Sequence, residues 1–384
     1  MADASRPSAP GDAVRWSETA GGWLVTRYED VQRVLTDWRT FSSAPPPIDL
    51  SDWFTGRRSM RAAQPLSIVG MDPPEHGPHR RIVASLLSRE SVAAIEPRVH
   101  AIAAGLIGAI ERERSCDLVD SYTAPLPLMV LAELLGIDPH AHRTYRRWAE
   151  AVPRMDDVSG ANGDGDVARR DDARRDGARR DALREFELYF EAFGRTLLAD
   201  RRETQLGRLV AAGALTQREA VRFAKLLLLA GSSTTSHLIA NVAVALLADR
   251  PRLDALAAQP SGLERFIEAV LRAEPPVRTV ARVTTTSVSI GGVELPAGAR
   301  VLAVIGTANA EQPERRSLSM GAGPHVCPGG DLGTMEAIVA VTHLIPLLRR
   351  ATLSDPVRYY ASARIRAPQR LVLAIAPFSD PLPS

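Results

Sequence analysis

One cysteine in this chain sits in a stretch built for chemistry. In Met320-Gly-Ala-Gly-Pro-His-Val-Cys-Pro-Gly329, the glycines Gly321, Gly323 and Gly329 crowd Cys327, and a helix begins within a few residues. Glycines let a backbone approach a flat ligand closely and turn its N–H groups toward a sulfur. A thiolate held in this way meets the requirement for the axial ligand of a haem iron. A lone cysteine in a glycine turn is more simply a buried free thiol. The Gly, His and Pro packed around Cys327 favour the ligand, and they make it the candidate metal-binding residue.

A second irregularity lies in a long apolar segment. From Thr216 to Leu247 the pattern is one helix of mostly Ala, Leu and Val, apolar on all sides and therefore expected to run through the middle of the domain. At its centre Gly231 is followed by Ser232-Ser233-Thr234-Thr235-Ser236, where packing alone asks for Leu or Ala.

The elements that must position these residues are mostly helical. Trp23 to Thr26 reads as a strand, followed by an amphipathic helix with Val31, Val34 and Leu35 on one face. After the turn at Asp72-Pro73-Pro74 come helices from about His76 to Leu87, Val92 to Arg112 and Leu126 to Leu135. Residues 156–166 read as a polar loop, and an imperfect repeat of Ala-Arg-Arg-Asp units from Ala168 reads as a solvated helix or mobile segment. A short helix (Leu263 to Arg272), a strand-turn-strand pattern from Val288, a strand from Arg300 to Ile305 and a last helix from Leu332 to Arg349 complete the chain.

Composition narrows the partners. Lys+Arg 47 against Asp+Glu 45 leaves +2 over 384 residues, which calls for neither nucleic acid nor a charged membrane surface. Apolar stretches such as Phe223 to Ala230 read as too short to span a membrane, and Met1 to Asp12 lacks the basic and apolar parts of a signal, so the expectation is a cytoplasmic protein. Two cysteines, Cys116 and Cys327, exclude a disulfide framework.

The Cys327 stretch resembles the haem-binding loop of cytochromes P450, F-G-x-G-x-H-x-C-x-G, with Met320 in place of the Phe. Further matches follow in family order. Met71-Asp-Pro-Pro-Glu-His-Gly-Pro-His-Arg-Arg resembles a helix entry in which His76 and Arg80 would bind a haem propionate. Ala230-Gly231-Ser232-Ser233-Thr234-Thr235 resembles the oxygen-binding A-G-x-[DE]-T-[TS], and Arg282 and His325 match residues that reach propionate. The resemblance implies a mainly α P450 fold: one large helical domain over residues 1–384, small peripheral β-sheets from 1–70 and 275–310, and a polar insertion or lid at 156–185. It implies haem b held by Cys327, with Gly321, Gly329 and Ala230 against it, and catalysis at Gly231, Ser233 and Thr234.

Departures from the family bear on function. Ser233 stands where the family has an acid that delivers protons to bound oxygen. The E-x-x-R pair keeps Arg272 but has Ala269 in place of its Glu; Glu268 is within reach along the helix. The segment between Asn309 and Met320 is shorter than the family's by about a dozen residues, as the resemblance implies, and leaves Arg272 short of partners. The leading expectation is a monooxygenase that oxidises a small molecule of specialised metabolism, with electrons from a ferredoxin-type redox partner. The alternatives are an accessory subunit that activates a partner enzyme such as a glycosyltransferase, and a haem enzyme that runs a peroxide-driven oxidation, coupling or rearrangement.

Overall fold

The computed structural model describes residues 13–44, 68–151, 166–199, 204–362 and 364–376. In chain order, β1 (Val14–Ser17) and β2 (Gly22–Val25) precede α1 (Tyr28–Thr36) and β3 (Phe41–Ser42). Helices α2 (His76–Leu86) and α3 (Arg89–Ile110) lead to β4 (Ser115–Asp117), a π turn (Val119–Thr123), α4 (Pro125–Leu135) and α5 (His142–Ala151). Next come α6 (Asp166–Ala199), α7 (Gln205–Ala211), α8 (Gln217–Ala248), α9 (Arg250–Ala258) and α10 (Leu263–Ala273). Strands β5 (Thr279–Thr284), β6 (Val288–Ile290), β7 (Val293–Leu295) and β8 (Arg300–Val304) are followed by α11 (Ile305–Glu311) and α12 (Gly330–Arg350). The chain closes with β9 (Ala351–Leu353), β10 (Arg358–Tyr359), β11 (Pro368–Arg370) and β12 (Val372–Ile375).

Local chemistry sets the helix boundaries. The Ser88 hydroxyl accepts the Ser91 N–H at 3.2 Å, so α3 starts at Arg89, ahead of the apolar pattern that begins at Val92. Thr216 and Glu219 form a reciprocal capping box that fixes the start of α8. The central helix packs against α4, α6 and α12, so its apolar sides are covered by protein on several fronts. The Ala-Arg-Arg-Asp repeat lies in the first half of α6; the preceding loop, residues 152–165, lies outside the described residues.

The expected β region forms from both ends of the chain. A five-stranded sheet of order β1-β2-β8-β5-β3 pairs β2 with β8 in parallel, Trp23 opposite Val301. Its apolar face packs on α1 through Val25, Val31, Val34, Phe41 and Val301, a small core separate from the large helical one. A second sheet, β4-β12-β9, is absent from the sequence reading because its strands are three or four residues long and scattered over the chain.

The membrane reading is corrected in one respect. Arg89–Ile110, Gln217–Ala248 and Gly330–Arg350 are long and apolar enough to cross a membrane by length and composition. Short unbroken apolar runs concealed this, because weakly polar Gly, Ser and Thr interrupt the Leu, Ile, Val and Ala that keep the mean hydropathy high. In the fold, α8 and α12 spend that apolar surface on each other and on their neighbours.

Thr216→Ala removes the hydroxyl half of the capping box and leaves the backbone N–H bond to Glu219; it is expected to lower stability by about 1 kcal/mol, read as a lower urea midpoint at unchanged slope.

Candidate functional site

The Cys327 loop is shaped by its glycines in a way that spacing alone does not reveal. Gly321 and Gly323 have φ of 77° and 67°, a left-handed conformation that side-chain-bearing residues avoid. A Cβ on Gly323 would lie 2.9 Å from the Leu35 carbonyl and from the Thr36 Cα of α1. A Cβ on Gly321 would meet the His325 carbonyl at 3.2 Å. Both glycines therefore fold the loop against itself and against α1; the sequence reading had them making room for a flat ligand. Gly329 differs, since its nearest contact is Leu87 Cδ1 at 3.7 Å.

Cys327 is held at both ends of this turn. Its N–H donates to the Met320 carbonyl at 2.7 Å, while the side chain is exposed. Surrounding protein still desolvates the sulfur and pushes the thiol up, and the Gly329 N–H and the nearby Arg80 oppose that shift. An exposed sulfur that is also desolvated opens onto an enclosed cleft. The other cysteine, Cys116, is buried with its thiol pushed up to about 11, which makes it inert.

Four cationic or imidazole side chains meet beside this sulfur. The rings of His76 and His325 lie 4.5 Å apart between centroids. Arg282 is 7% exposed, donates to the Ala281 carbonyl at 2.8 Å, and is pushed down to about 10 by burial against a weaker opposing pull from Asp72. Arg80 is likewise lowered by burial, with Cys327 acting in the other direction. Burial, aided by Arg282 and His76, lowers His325 to about 4, so both imidazoles are neutral at physiological pH. Among the described residues Asp72 is the one carboxylate that acts on this group, and it already accepts the Ser42 hydroxyl and, at 2.9 Å, the Ser43 N–H.

The set is thus rich in donors and poor in acceptors. Among the described residues no ion pair reaches Arg80 or Arg282, and the Nε2 atoms of His76 and His325 are buried without a hydrogen-bond partner. Buried donors of this kind call for acceptors. A ligand that carries two carboxylates beside a thiolate-binding metal supplies them, so the residues present fit a haem group.

The hydroxyl run lies on α8. Ala230 is exposed and Thr234 half-exposed, although Leu227, Leu228 and Ser232 around them are buried, so this face of the helix borders the cleft. The hydroxyls of Ser232, Ser233, Thr234 and Thr235 donate back to the carbonyls four residues earlier, Ser233 to Leu229 at 3.2 Å and Thr234 to Ala230 at 2.9 Å. Each keeps its oxygen lone pairs for a further donor.

This geometry accompanies whole-chain similarity. The erythromycin C-12 hydroxylase of Saccharopolyspora erythraea is 32% identical over 88% of this chain and 85% of its own length. The cyclomarin C epoxidase CymV of Salinispora arenicola is 32% identical over 92% of this chain and 90% of its own. Among solved structures, a mutant of P450 EryK from S. erythraea in complex with erythromycin B superposes with a TM-score of 0.78 at 30% identity, over 97% of this chain and 95% of the other. The chain belongs to the cytochrome P450 family. It is a P450 monooxygenase-like enzyme, and the family implies a haem-thiolate cofactor. No family model matches the chain.

In this P450 the shortened segment before the cysteine loop does not leave Arg272 without partners. Its Nη1 donates to the carbonyls of Asn309 (3.5 Å) and Gln312 (3.4 Å), and its Nη2 to that of Arg315. Asn309 returns the contact, donating to the Arg272 carbonyl (3.1 Å) and to Ser319 Oγ (2.9 Å) while accepting the Leu318 N–H (2.8 Å). Arg315 pairs with Glu29 at 2.8 Å and lies over the Tyr28 ring, and the Tyr28 hydroxyl donates to the Arg316 carbonyl at 2.8 Å. A shorter segment brings its own backbone carbonyls within reach of the guanidinium, and these replace the missing carboxylate. Glu268 and Ala269 are exposed, and among the described residues no ion pair joins Glu268 to Arg272.

Of the residues singled out from sequence, His76, Arg80, Arg282, His325 and Cys327 converge, with Gly321 and Gly329 in the same loop; Ala230, Ser233 and Thr234 lie on α8. Gly231 is turned away from them, its hydrogen side against Leu131. Sequence reasoning assigned no role to Asp72 or Asn309. The first is marked only by the prolines that follow it, and the second by nothing local.

Two contrasts test this geometry. Gly323→Ala is expected to destabilise the protein by about 2 kcal/mol or more, from backbone strain and contact with α1, whereas Gly329→Ala stays within about 1 kcal/mol; thermal melts of the two variants decide it. Arg272→Ala is expected to cost about 2 to 4 kcal/mol, because it leaves three carbonyls without a charged donor. Ala269→Glu changes stability by less than about 0.5 kcal/mol; a large gain would mean that the carboxylate is still wanted.

Proposed function

We propose that this P450 binds haem b through Cys327 and oxidises a C–H or C=C group of a small molecule of specialised metabolism in the cytoplasm. One observation carries the reading: two guanidiniums without an ion pair among the described residues and two imidazoles with orphaned Nε2 atoms meet beside an exposed yet desolvated cysteine. The similarity to a hydroxylase and an epoxidase, both named for natural products, supports the reaction type.

When bound, the haem supplies the one-electron and oxygen chemistry that no side chain provides. The rest of the work falls to the chain. Cys327 holds the iron as thiolate, with the Gly329 N–H turned to its sulfur. Arg80, Arg282, His76 and His325 orient the group through its carboxylates. The Asp72 carboxylate offsets part of that positive charge and favours the charged form of its neighbours, against the effect of burial. Ala230, lacking bulk, leaves room on the opposite side, and the hydroxyls of Ser233 and Thr234 hold water or pass a proton there. Electrons come from a ferredoxin-type partner. Ser233 favours a second reading, a peroxide-driven oxidation, since peroxide arrives already carrying protons. The accessory-subunit reading has less support, because the donor set around Cys327 is complete and Arg272 has found new partners.

The visible spectrum tests the proposal. The reduced protein with carbon monoxide is expected to give the long-wavelength band of a thiolate-ligated haem, and Cys327→Ala to lose it. A protein expressed with ample haem that shows no Soret absorption would overturn the reading. Product yields with a ferredoxin and reductase, set beside yields with hydrogen peroxide, separate the two oxidants.

A further inference from the structure

Two histidines from different helices meet on the surface between α3 and α12. His100 Nδ1 lies 3.0 Å from His343 Nε2, with the ring planes inclined at 66°. His100 is exposed and His343 half-buried. The helices that carry them run parallel and are tied at both ends. Arg89 at the start of α3 pairs with Asp331 at the start of α12 at 3.5 Å, and Glu111 beyond the end of α3 pairs with Arg350 at the end of α12 at 2.7 Å. Val99 and Ala103 of α3 and Ala340, Leu344 and Leu347 of α12 are buried in one core. None of these contacts involves an imidazole, so the spacing of the two rings is set in advance by the helices.

A single N–H shared between two rings is a modest contact at an exposed site. The same two nitrogens are metal ligands when the imidazoles are neutral. Burial and the neighbouring His100 lower His343 below the usual imidazole range, so it is neutral at physiological pH. Little opposes a cation there: Glu96 shares the face of α3 one turn before His100, Arg98 is engaged by Glu133 at 2.6 Å, and α12 carries no charged residue from Val339 to Leu347. Across the 3.0 Å gap, metal–nitrogen bonds of about 2.0–2.1 Å enclose roughly 90–100° at the ion. That is the angle between adjacent ligands of a square-planar or octahedral ion. A tetrahedral zinc ion would need the nitrogens about 3.3–3.4 Å apart, whereas copper(II) and nickel(II) take square-planar or tetragonal sets of nitrogen and oxygen donors.

We propose that His100 and His343 form a binding site for a divalent nickel or copper ion, which takes them as adjacent ligands and staples α12 to α3. The ion lies on the solvent side of the line between the nitrogens, and both rings tilt so that their lone pairs meet on it. The proton that joined the rings moves to the outer nitrogen of its own ring, so none is released. Among the described residues no cluster of three or more His, Cys, Asp or Glu could hold a metal, and water fills the remaining positions. Because α12 begins three residues after Cys327, the staple bears on the helix that follows the cysteine loop. The site is separate from the cleft and stands whatever reaction occurs there.

The test uses tag-free, haem-loaded protein, cleared of loose metal with a chelator and titrated with nickel(II) or zinc(II). The wild type is expected to bind one nickel ion, more tightly than zinc, and to melt at a higher temperature as nickel is added. His100→Gln and His343→Gln are each expected to weaken nickel binding by about tenfold or more, since losing a ligand costs at least what losing an outer-shell partner does. His140→Gln, which changes an exposed imidazole elsewhere, is expected to leave it unaltered. With copper(II), the electron paramagnetic resonance spectrum is expected to show two nitrogen ligands in the wild type and one in each of the first two variants. No nickel binding by the wild type would overturn the site and leave the pair a hydrogen bond. Affinity that survives either substitution would overturn it too, and tighter binding of zinc than of nickel would refute the angle on which it rests. If a variant fails to fold, the wild-type copper spectrum still decides, because one nitrogen or none contradicts the pair.

Discussion

Positive charge is held out of water beside Cys327 without carboxylates of its own to balance it. Among the described residues, two guanidiniums and two imidazoles are faced by a single carboxylate, Asp72, which is already bound by Ser42 and Ser43. A protein tolerates such an excess only when something else supplies the acceptors, because uncompensated burial costs more than any packing gain recovers. The imidazoles respond by staying neutral, His325 at about 4, and the guanidiniums cannot. Much of the surrounding architecture keeps these groups in register: α2 carries His76 and Arg80, β5 carries Arg282, and the glycine-bent loop carries His325 and Cys327.

Register between distant segments has a physical source in each case. Strand β5 sits between β3 and β8, so Arg282 lies opposite Val301 in the antiparallel ladder. The Cys327 loop is seated on α1 by the bare Gly323 and by the ring and backbone of Tyr28, which bind Arg316 and Glu311. Arg272 then ties the shortened segment to α10 through backbone carbonyls. Carbonyl partners carry no formal charge, so this junction avoids the desolvation of an ion pair. Backbone carbonyls thus serve Arg272 where Ala269 offers no carboxylate.

The central helix divides two environments. Its cleft face, with Ala230 and Thr234, meets solvent-accessible space; its far face, with Ser232, Thr235 and Ser236, meets α12 and the π turn. Hydroxyls bonded back to their own helix are compatible with both, since each satisfies its donor locally and keeps its acceptor free. This explains why a run of five hydroxyl residues persists in a helix otherwise made of Ala, Leu and Val.

Sequence by itself determined which residues are chemically unusual: a cysteine among glycines, hydroxyls in an apolar helix, and histidine and arginine at family spacings. It also determined α1 to α4, α8, α10 and α12 with the strands β2, β6, β7 and β8, because hydrophobic periodicity acts over a few neighbours; it left α6 between a solvated helix and a mobile segment and did not reveal β1, β3 or β5. It did not determine that Gly323 serves α1, that Asp72 faces the cationic group, or that Arg272 finds carbonyls. Strands β4, β9 and β12 were equally invisible, being too short to show alternation. Each of these depends on segments tens to hundreds of residues apart meeting at distances near 3 Å, and no local pattern records which carbonyl, hydroxyl or carboxylate a folded chain will place beside which donor.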